Sequence, residues 1–330
     1  MSPLIPLVIV VIAMVTALAM TPYVRKLAQT VGMLDETGER RMHDVPKPRI
    51  GGIAVYLGFA FALFAALGYL IKTKQFGTLD VLHDLIGLIF GGTLILMVGI
   101  WDDVMGMSPR VKLGAQAVVA AISMLYGFTI PYVQNPFHHG DLVYFPPWLT
   151  VVVTMVWYLG MMNAINFIDG LDGLLSGVTA ISGAFLLIVS ATHGHPETTL
   201  VLAALVGGAV GFLPYNFNPA KIILGDSGAL FIGYVFATVS ILGASKTAFT
   251  ISLLIPLIVL ALPVLDTAAA IVRRTRAGKK FYEADKGHFH HQLIFRYGLN
   301  VRQAVLLIYA LCVVLGLAAL AVSGAGPFHA

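Results

Sequence analysis

The stretch Leu85-Ile86-Gly87-Leu88-Ile89-Phe90-Gly91-Gly92-Thr93-Leu94-Ile95-Leu96-Met97-Val98-Gly99-Ile100-Trp101-Asp102-Asp103 carries no charge from Leu85 to Trp101 and then two carboxylates side by side. A helix needs about 20 mostly apolar residues to cross the hydrocarbon core of a bilayer. Nine further segments read the same way, near 3–22, 51–71, 111–128, 146–163, 171–191, 199–215, 228–245, 250–271 and 303–324. The expected fold is therefore an all-α polytopic membrane protein of about ten transmembrane helices, forming a single domain over residues 1–330. The first segment lacks a preceding basic run and a small-residue cleavage site, so it reads as a retained span rather than a signal peptide.

Composition agrees. The 330 residues are 58% apolar or aromatic and only 11% charged, with a mean hydropathy of +0.89. A soluble domain carries about 25% charged residues. The net charge of +4 is too small to name a polyanionic partner, and no nucleic-acid ligand is expected. The single cysteine, Cys312, can form no internal disulfide.

Charge orients the bundle. Seventeen of the 20 Lys and Arg fall in the loops that follow odd-numbered spans, against Lys72, Lys74 and Lys246 opposite. By the positive-inside rule those loops face the cytoplasm and both termini face outward. Twelve of the 16 acids share that face. A carrier would spread ionisable groups through the membrane depth. Acids gathered at one interface instead suit an enzyme with one water-soluble and one lipid-borne substrate. No internal repeat supports a transporter, which stays a distant alternative. Small-residue runs such as Gly207-Gly208 permit close helix packing and are compatible with a homodimer.

Five loops carry the polar chemistry, near 23–50, 101–112, 163–174, 216–228 and 272–302. Asp102 and Asp103 point about 100° apart if helical, so one carboxylate can orient a cation while its neighbour takes a proton. From Asn163 to Leu174, the polar residues Asn163, Asn166, Asp169 and Asp172 recur every three positions, and two Asp-Gly pairs predict a turn. Folded that way, the amides and acids line a pocket for a sugar nucleotide, a metal or both. Asp226, in Gly225-Asp226-Ser227-Gly228, is expected at a helix N-terminus, where a carboxylate can hold Mg²⁺ and N–H groups favour phosphate. The alternative is a simple N-cap. His288, His290 and His291 follow a basic stretch and suit a diphosphate better than zinc, since adjacent histidines rarely share one metal. Lys47 and Arg49 precede a glycine pair and suit a substrate phosphate or anionic lipid head groups. Asp266 lies inside the ninth expected span, near a helix-loosening Pro263.

These motifs, in this order, resemble the polyprenyl-phosphate N-acetylhexosamine-1-phosphate transferase superfamily (glycosyltransferase family 4). The Lys47-Pro48-Arg49-Ile50-Gly51-Gly52 and His288-Phe289-His290-His291 elements look like its bacterial undecaprenyl-phosphate N-acetylglucosamine-1-phosphate transferase branch. The related phospho-MurNAc-pentapeptide transferases, the alternative reading, typically show Thr-Pro-Thr-Met-Gly-Gly in the first element. They also often have Phe where Ile223 stands, which leaves the base-binding aromatic here unassigned between Phe167 and Phe289. The resemblance implies transfer of N-acetylglucosamine 1-phosphate from UDP-N-acetylglucosamine to undecaprenyl phosphate, giving UMP and the lipid diphosphate sugar. That reaction opens synthesis of teichoic acid, O-antigen or a related envelope polymer at the cytoplasmic membrane. It also implies Mg²⁺, with Mn²⁺ as a substitute. Asp102 is then expected to accept or orient a proton and Asp226 to bind the metal, with Asp103, Asp169 and Asp172 completing the acidic pocket. His290 joins them as a catalytic group. Lys47, Arg49, Asn163, Asn166, Asp266, His288 and His291 are expected to bind substrate.

Overall fold

A computed structural model describes residues 4–35, 46–73, 78–134, 142–244, 257–276 and 288–324. Helices dominate. They are α1 (Leu4–Thr30), α2 (Gly52–Thr73), α3 (Thr78–Met105), α4 (Pro109–Leu125), α5 (Pro147–Ile168) and α6 (Leu174–Thr192). There follow α7 (Pro196–Asn216), α8 (Gly225–Ala244), α9 (Ala261–Arg276), the short α10 (Phe289–Phe295) and α11 (Val301–Ser323). Two small antiparallel ladders complete the described residues: β1 (Leu34–Asp35) with β2 (Lys47–Pro48), and β3 (Tyr132–Gln134) with β4 (Leu142–Tyr144).

Eight of these helices, α1, α2, α3, α5, α6, α7, α8 and α11, are long and apolar enough to cross a membrane. The other two expected spans differ in form. Helix α4 has 17 residues, about 25 Å at 1.5 Å per residue. Near 250–271 the described chain begins at residue 257, and α9 starts at Ala261. Pro263 therefore stands in the first turn of α9 rather than mid-span, where its missing N–H is no loss. Residues 250–256 of that span lie outside the described residues, as do Arg40, Arg41, Lys74, Lys246, Lys279, Lys280, Lys286 and the two chain ends.

Helix α8 is the axis of the bundle. Its apolar stretch is 94% buried, against 28% for α1 and α11 at the rim. Helices α3 and α5 flank it, α2 touches its start, and α7 carries α1, α2 and α6. A fully buried apolar helix needs small residues where neighbours cross closely. Gly52 of α2 meets the backbone of Gly228, and Gly99 of α3 meets the backbone of Ser227, so three helix ends touch main chain to main chain. Gly207 and Gly208 are used inside the chain: Gly207 lies against the Val10 carbonyl of α1 and Gly208 against Val55 of α2.

Two segments distant in sequence are stitched beside this crossing. Gly51 N–H donates to the Ile223 carbonyl, Gly52 N–H to that of Leu224, and Ile223 N–H to that of Pro48, at 2.8–3.0 Å. Between them Ile50 adopts φ +70° with its side chain buried. For a β-branched residue this is a strained conformation, held by the surrounding bonds. The bundle end that carries β2, Asp102, Asp226 and the 169–173 turn is thereby fixed as one unit.

A Cβ at Gly52 would fall on the α8 backbone, whereas one at Gly68 on the same helix meets nothing. Gly52→Val should destabilise the detergent-purified protein by about 2 kcal/mol or more, while Gly68→Val should melt within about a degree of wild type. Equal melting temperatures for the two variants would contradict the close α2–α8 crossing.

Candidate active site

The acidic centre forms where α3, α4, α5 and α8 end together. Helix α3 runs through Met105, so Asp102 and Asp103 sit in its last turn rather than beyond it, and their side chains diverge. Asp103 turns inward. Its side chain is fully buried, and its two oxygens accept the N–H groups of Asp226 at 2.8 Å and Ser227 at 2.9 Å. It thus caps α8, and neither Asp226 nor Ser227 serves as its own cap. Gly225 takes φ +76°, and a Cβ there would collide with the Asp103 carboxylate, so this position excludes a side chain twice over.

Capping from outside leaves the Asp226 carboxylate available to the centre. Its Oδ1 lies 2.8 Å from Lys112 Nζ and accepts from Asn166 Nδ2 at 2.5 Å. Its Oδ2 lies 3.6 Å from the Arg49 guanidinium, whose Nε is 3.4 Å from Asp103. Asp102 turns the other way: Oδ2 pairs with Lys112 at 2.8 Å, and Oδ1 accepts Met107 N–H at 2.7 Å.

Helix α5 ends at Ile168, and the two Asp-Gly pairs make the turn before α6, with Gly173 at φ +79°. Because the helix persists through both amides, they separate. Asn166 faces Asp226, while Asn163 donates to Gln116 Oε1 of α4 at 2.7 Å and to the Leu159 carbonyl. Asp169, just past the helix, is pushed up to about 8, chiefly by burial and then by the charges of Asp226 and Asp103, with Arg49 opposing. Asp172 fastens loops together. Its buried Oδ2 accepts from Lys47 Nζ at 2.7 Å and from Asn218 Nδ2 and Ala220 N–H at 3.0 Å each.

The histidines form a third wall. Asp266 of α9 binds His288 Nδ1 through Oδ2 at 2.8 Å and accepts Phe289 N–H at 2.9 Å, so it anchors the start of α10. Phe167 lies 5.6 Å from the His288 ring and 5.5 Å from the Arg274 guanidinium on its face. Phe289 contributes its backbone to the Asp266 contact. The rings of His288, His290 and His291 follow one another at 5.8 and 4.3 Å. His290 is only 2% exposed, packs against Gly170, and has no hydrogen-bond partner for either ring nitrogen among the described residues.

The structure therefore brings Asp102, Asp103, Asp226, Asn166 and Arg49 into one cluster, with Lys47–Asp172 and the histidines at its borders through the 169–173 turn. Asn163 is directed toward α4. The sequence reading missed Lys112, counted there only as a loop charge, and also Asn218, Gln116, Arg274 and Tyr309. Tyr309 of α11 donates its hydroxyl to the Gly173 carbonyl. Among the described residues no three His, Cys, Asp or Glu side chains are grouped to hold a metal by themselves. The oxygens of Asp226, Asp102 and Asn166 nevertheless converge on one cation, the Lys112 ammonium. A few hard oxygens completed by substrate phosphate are what Mg²⁺ accepts, so the residues fit that ion.

Burial pushes His290 down to about 3, helped by its neighbours His291 and His288 and opposed by Asp266. The unfolded imidazole titrates near 6.5, so the stability this group contributes is complete above that pH and drains away as pH falls toward 3. Between pH 7 and pH 5 the loss is roughly 2 kcal/mol. In ligand-free thermal melts, His290→Gln should lose correspondingly less stability than wild type over that interval. Parallel pH profiles would refute the buried neutral state.

Comparison with known proteins gives the family. Residues 85–244 match the sequence profile described as Glycosyl transferase family 4. The chain is 32% identical over 320 residues to the probable undecaprenyl-phosphate N-acetylglucosaminyl 1-phosphate transferase of Bacillus subtilis, covering 96% of this chain and 84% of that protein. It is 33% identical to a decaprenyl-phosphate N-acetylglucosaminephosphotransferase of Mycolicibacterium smegmatis, over 88% of this chain and 75% of the relative. It is 28% identical to the undecaprenyl-phosphate alpha-N-acetylglucosaminyl 1-phosphate transferase of Escherichia coli, over 87% and 75%. With these relatives aligned along nearly its whole length, the chain belongs to glycosyl transferase family 4, on the branch of the bacterial polyprenyl-phosphate N-acetylglucosamine-1-phosphate transferases.

Proposed function

We propose that this membrane protein transfers N-acetylglucosamine 1-phosphate from UDP-N-acetylglucosamine to undecaprenyl phosphate, releasing UMP, as the first lipid-linked step toward a cell-envelope polymer. The observation that carries this reading is the convergence of Asp102, Asp226, Asn166, Arg49 and Lys112 at one end of an apolar bundle. The names of the relatives supply the substrates. The excess of basic residues on the same side supports a cytoplasmic site in a bacterial plasma membrane.

In this reading the prenyl phosphate approaches from the bilayer with its head group at the bundle end. One of its oxygens attacks the β-phosphorus of the nucleotide sugar. A new P–O bond forms, the bond from that phosphorus to the bridging oxygen breaks, and the bridging oxygen leaves on UMP. Prenyl phosphate is already largely ionised near neutral pH. Asp102 therefore has little proton to remove, and its role is to orient the nucleophile and accept any residual proton. Arg49, Lys47 and the His288–His291 wall set positive or hydrogen-bonding groups around the phosphates, which is where phosphoryl transfer needs them. Asp226 and Asn166, with an oxygen of Asp102, would hold Mg²⁺, or Mn²⁺ in its place. When bound, that ion neutralises diphosphate charge and steadies the departing UMP.

The test is UMP release and labelled-lipid formation by purified protein with undecaprenyl phosphate, Mg²⁺ and UDP-N-acetylglucosamine. Wild type should form both products in equal amounts, and Asp226→Ala should lower the rate by about 10²–10³ or more. Near-normal turnover by that variant would remove Asp226 from the site. Product only with the UDP-MurNAc-pentapeptide donor would replace the reading with its peptidoglycan relative.

A further inference from the structure

Lys112 is held by three oxygens from three helices. Its Nζ lies 2.8 Å from Asp102 Oδ2 of α3, 2.8 Å from Asp226 Oδ1 of α8 and 3.2 Å from Asn166 Oδ1 of α5. An ammonium has three donors and no acceptor, so these contacts match its capacity. The Asn166 amide is oriented for this task, since its nitrogen donates to the same Asp226 oxygen and its carbonyl is left toward Lys112. The other ionisable groups at the cluster are Arg49, beside Asp226 Oδ2 and Asp103; Asp103, whose oxygens also hold the α8 backbone; and Asp169, which feels the charges of Asp226 and Asp103.

Two carboxylate oxygens and one amide carbonyl around a single positive centre are also the donor chemistry an oxygen-preferring divalent cation takes. One set of oxygens cannot serve both cations at these distances. Lysine suits an exchange, because its compact charge rides on a flexible four-carbon stem. We propose that Lys112 is the internal cation of the metal-free site: its ammonium stands in for the divalent ion between Asp102, Asp226 and Asn166, and metal loading displaces it toward the phosphates of the bound substrate. This rests on the divalent-metal reading above. It adds that metal and diphosphate binding are coupled, since the lysine becomes available to an anion only when the metal has taken its oxygens.

The test is Mn²⁺ binding to full-length, detergent-purified protein without substrates, followed by loss of the free-ion paramagnetic resonance signal. Lys112→Met and Lys112→Gln remove the competing charge and should bind Mn²⁺ more tightly, on the order of tenfold. A lysine that only contacts phosphate would leave this affinity unchanged, and one that only braces the fold would weaken it when lost; either result overturns the proposal. If wild type itself shows no saturable Mn²⁺ binding, the metal reading falls with it. A second measurement needs no variant. Amine acylation of wild type, quantified by peptide mass spectrometry, should speed up at Lys112 when Mn²⁺ is added. An unchanged or slower rate at Lys112 overturns the exchange.

Discussion

Carboxylates next to hydrocarbon are costly to ionise unless each is met by a cation or by hydrogen-bond donors, and the site is organised by that requirement. The Asp103 contact is the one on which the others depend. Its buried carboxylate holds the first N–H groups of α8, where the positive end of the helix dipole also favours an anion. With the start of α8 fixed there, Asp226 projects outward, and Lys112, Asn166 and Arg49 close on it from three directions. Adjacent residues of one helix thus do different work: Asp103 is buried against the α8 backbone with Arg49 beside it, while Asp102 pairs with Lys112.

The close glycine crossings extend the same arrangement. Gly52 and Gly99 bring α2 and α3 onto the α8 backbone, and the bonds from Pro48, Gly51 and Gly52 to 223–224 align Arg49 with the acids. The strained Ile50 sits within that seam. Apolar packing and polar geometry are therefore linked directly, because the residues that let helices touch are neighbours in sequence of Arg49, Asp102 and Asp226.

Much of this was legible beforehand because charge is rare in an apolar chain. An acid at the end of a membrane span stands out, and Asp102, Asp103, Asp169, Asp172 and Asp226 could all be picked by position. What each one touches was not legible. Asp172 and Asp226 look alike in sequence, yet one fastens Lys47, Asn218 and Ala220 while the other faces the centre. Asn163 and Asn166 could be told apart only once α5 was seen to continue to Ile168. Lys112 was hidden among the many cations of its face, and Gln116 and Tyr309 resemble ordinary polar residues of membrane helices. Their roles come from contacts as distant in sequence as Tyr309 to Gly173, which local pattern does not encode.

That last contact bears on how the protein is made. Helix α11 supplies the Tyr309 hydroxyl that holds the turn before α6, Gly177 leaves the space the tyrosine ring fills, and Arg302 Nε donates to the Asn218 carbonyl at 3.0 Å. Helices enter the membrane in order of synthesis, so the earlier ones stand in the bilayer before the clasp on their central turn exists. A nascent chain halted short of α11 carries all 16 acids but lacks the fastening of the turn that holds Asp169 and Asp172. The fastening of that turn thus waits for α11, the last helix described.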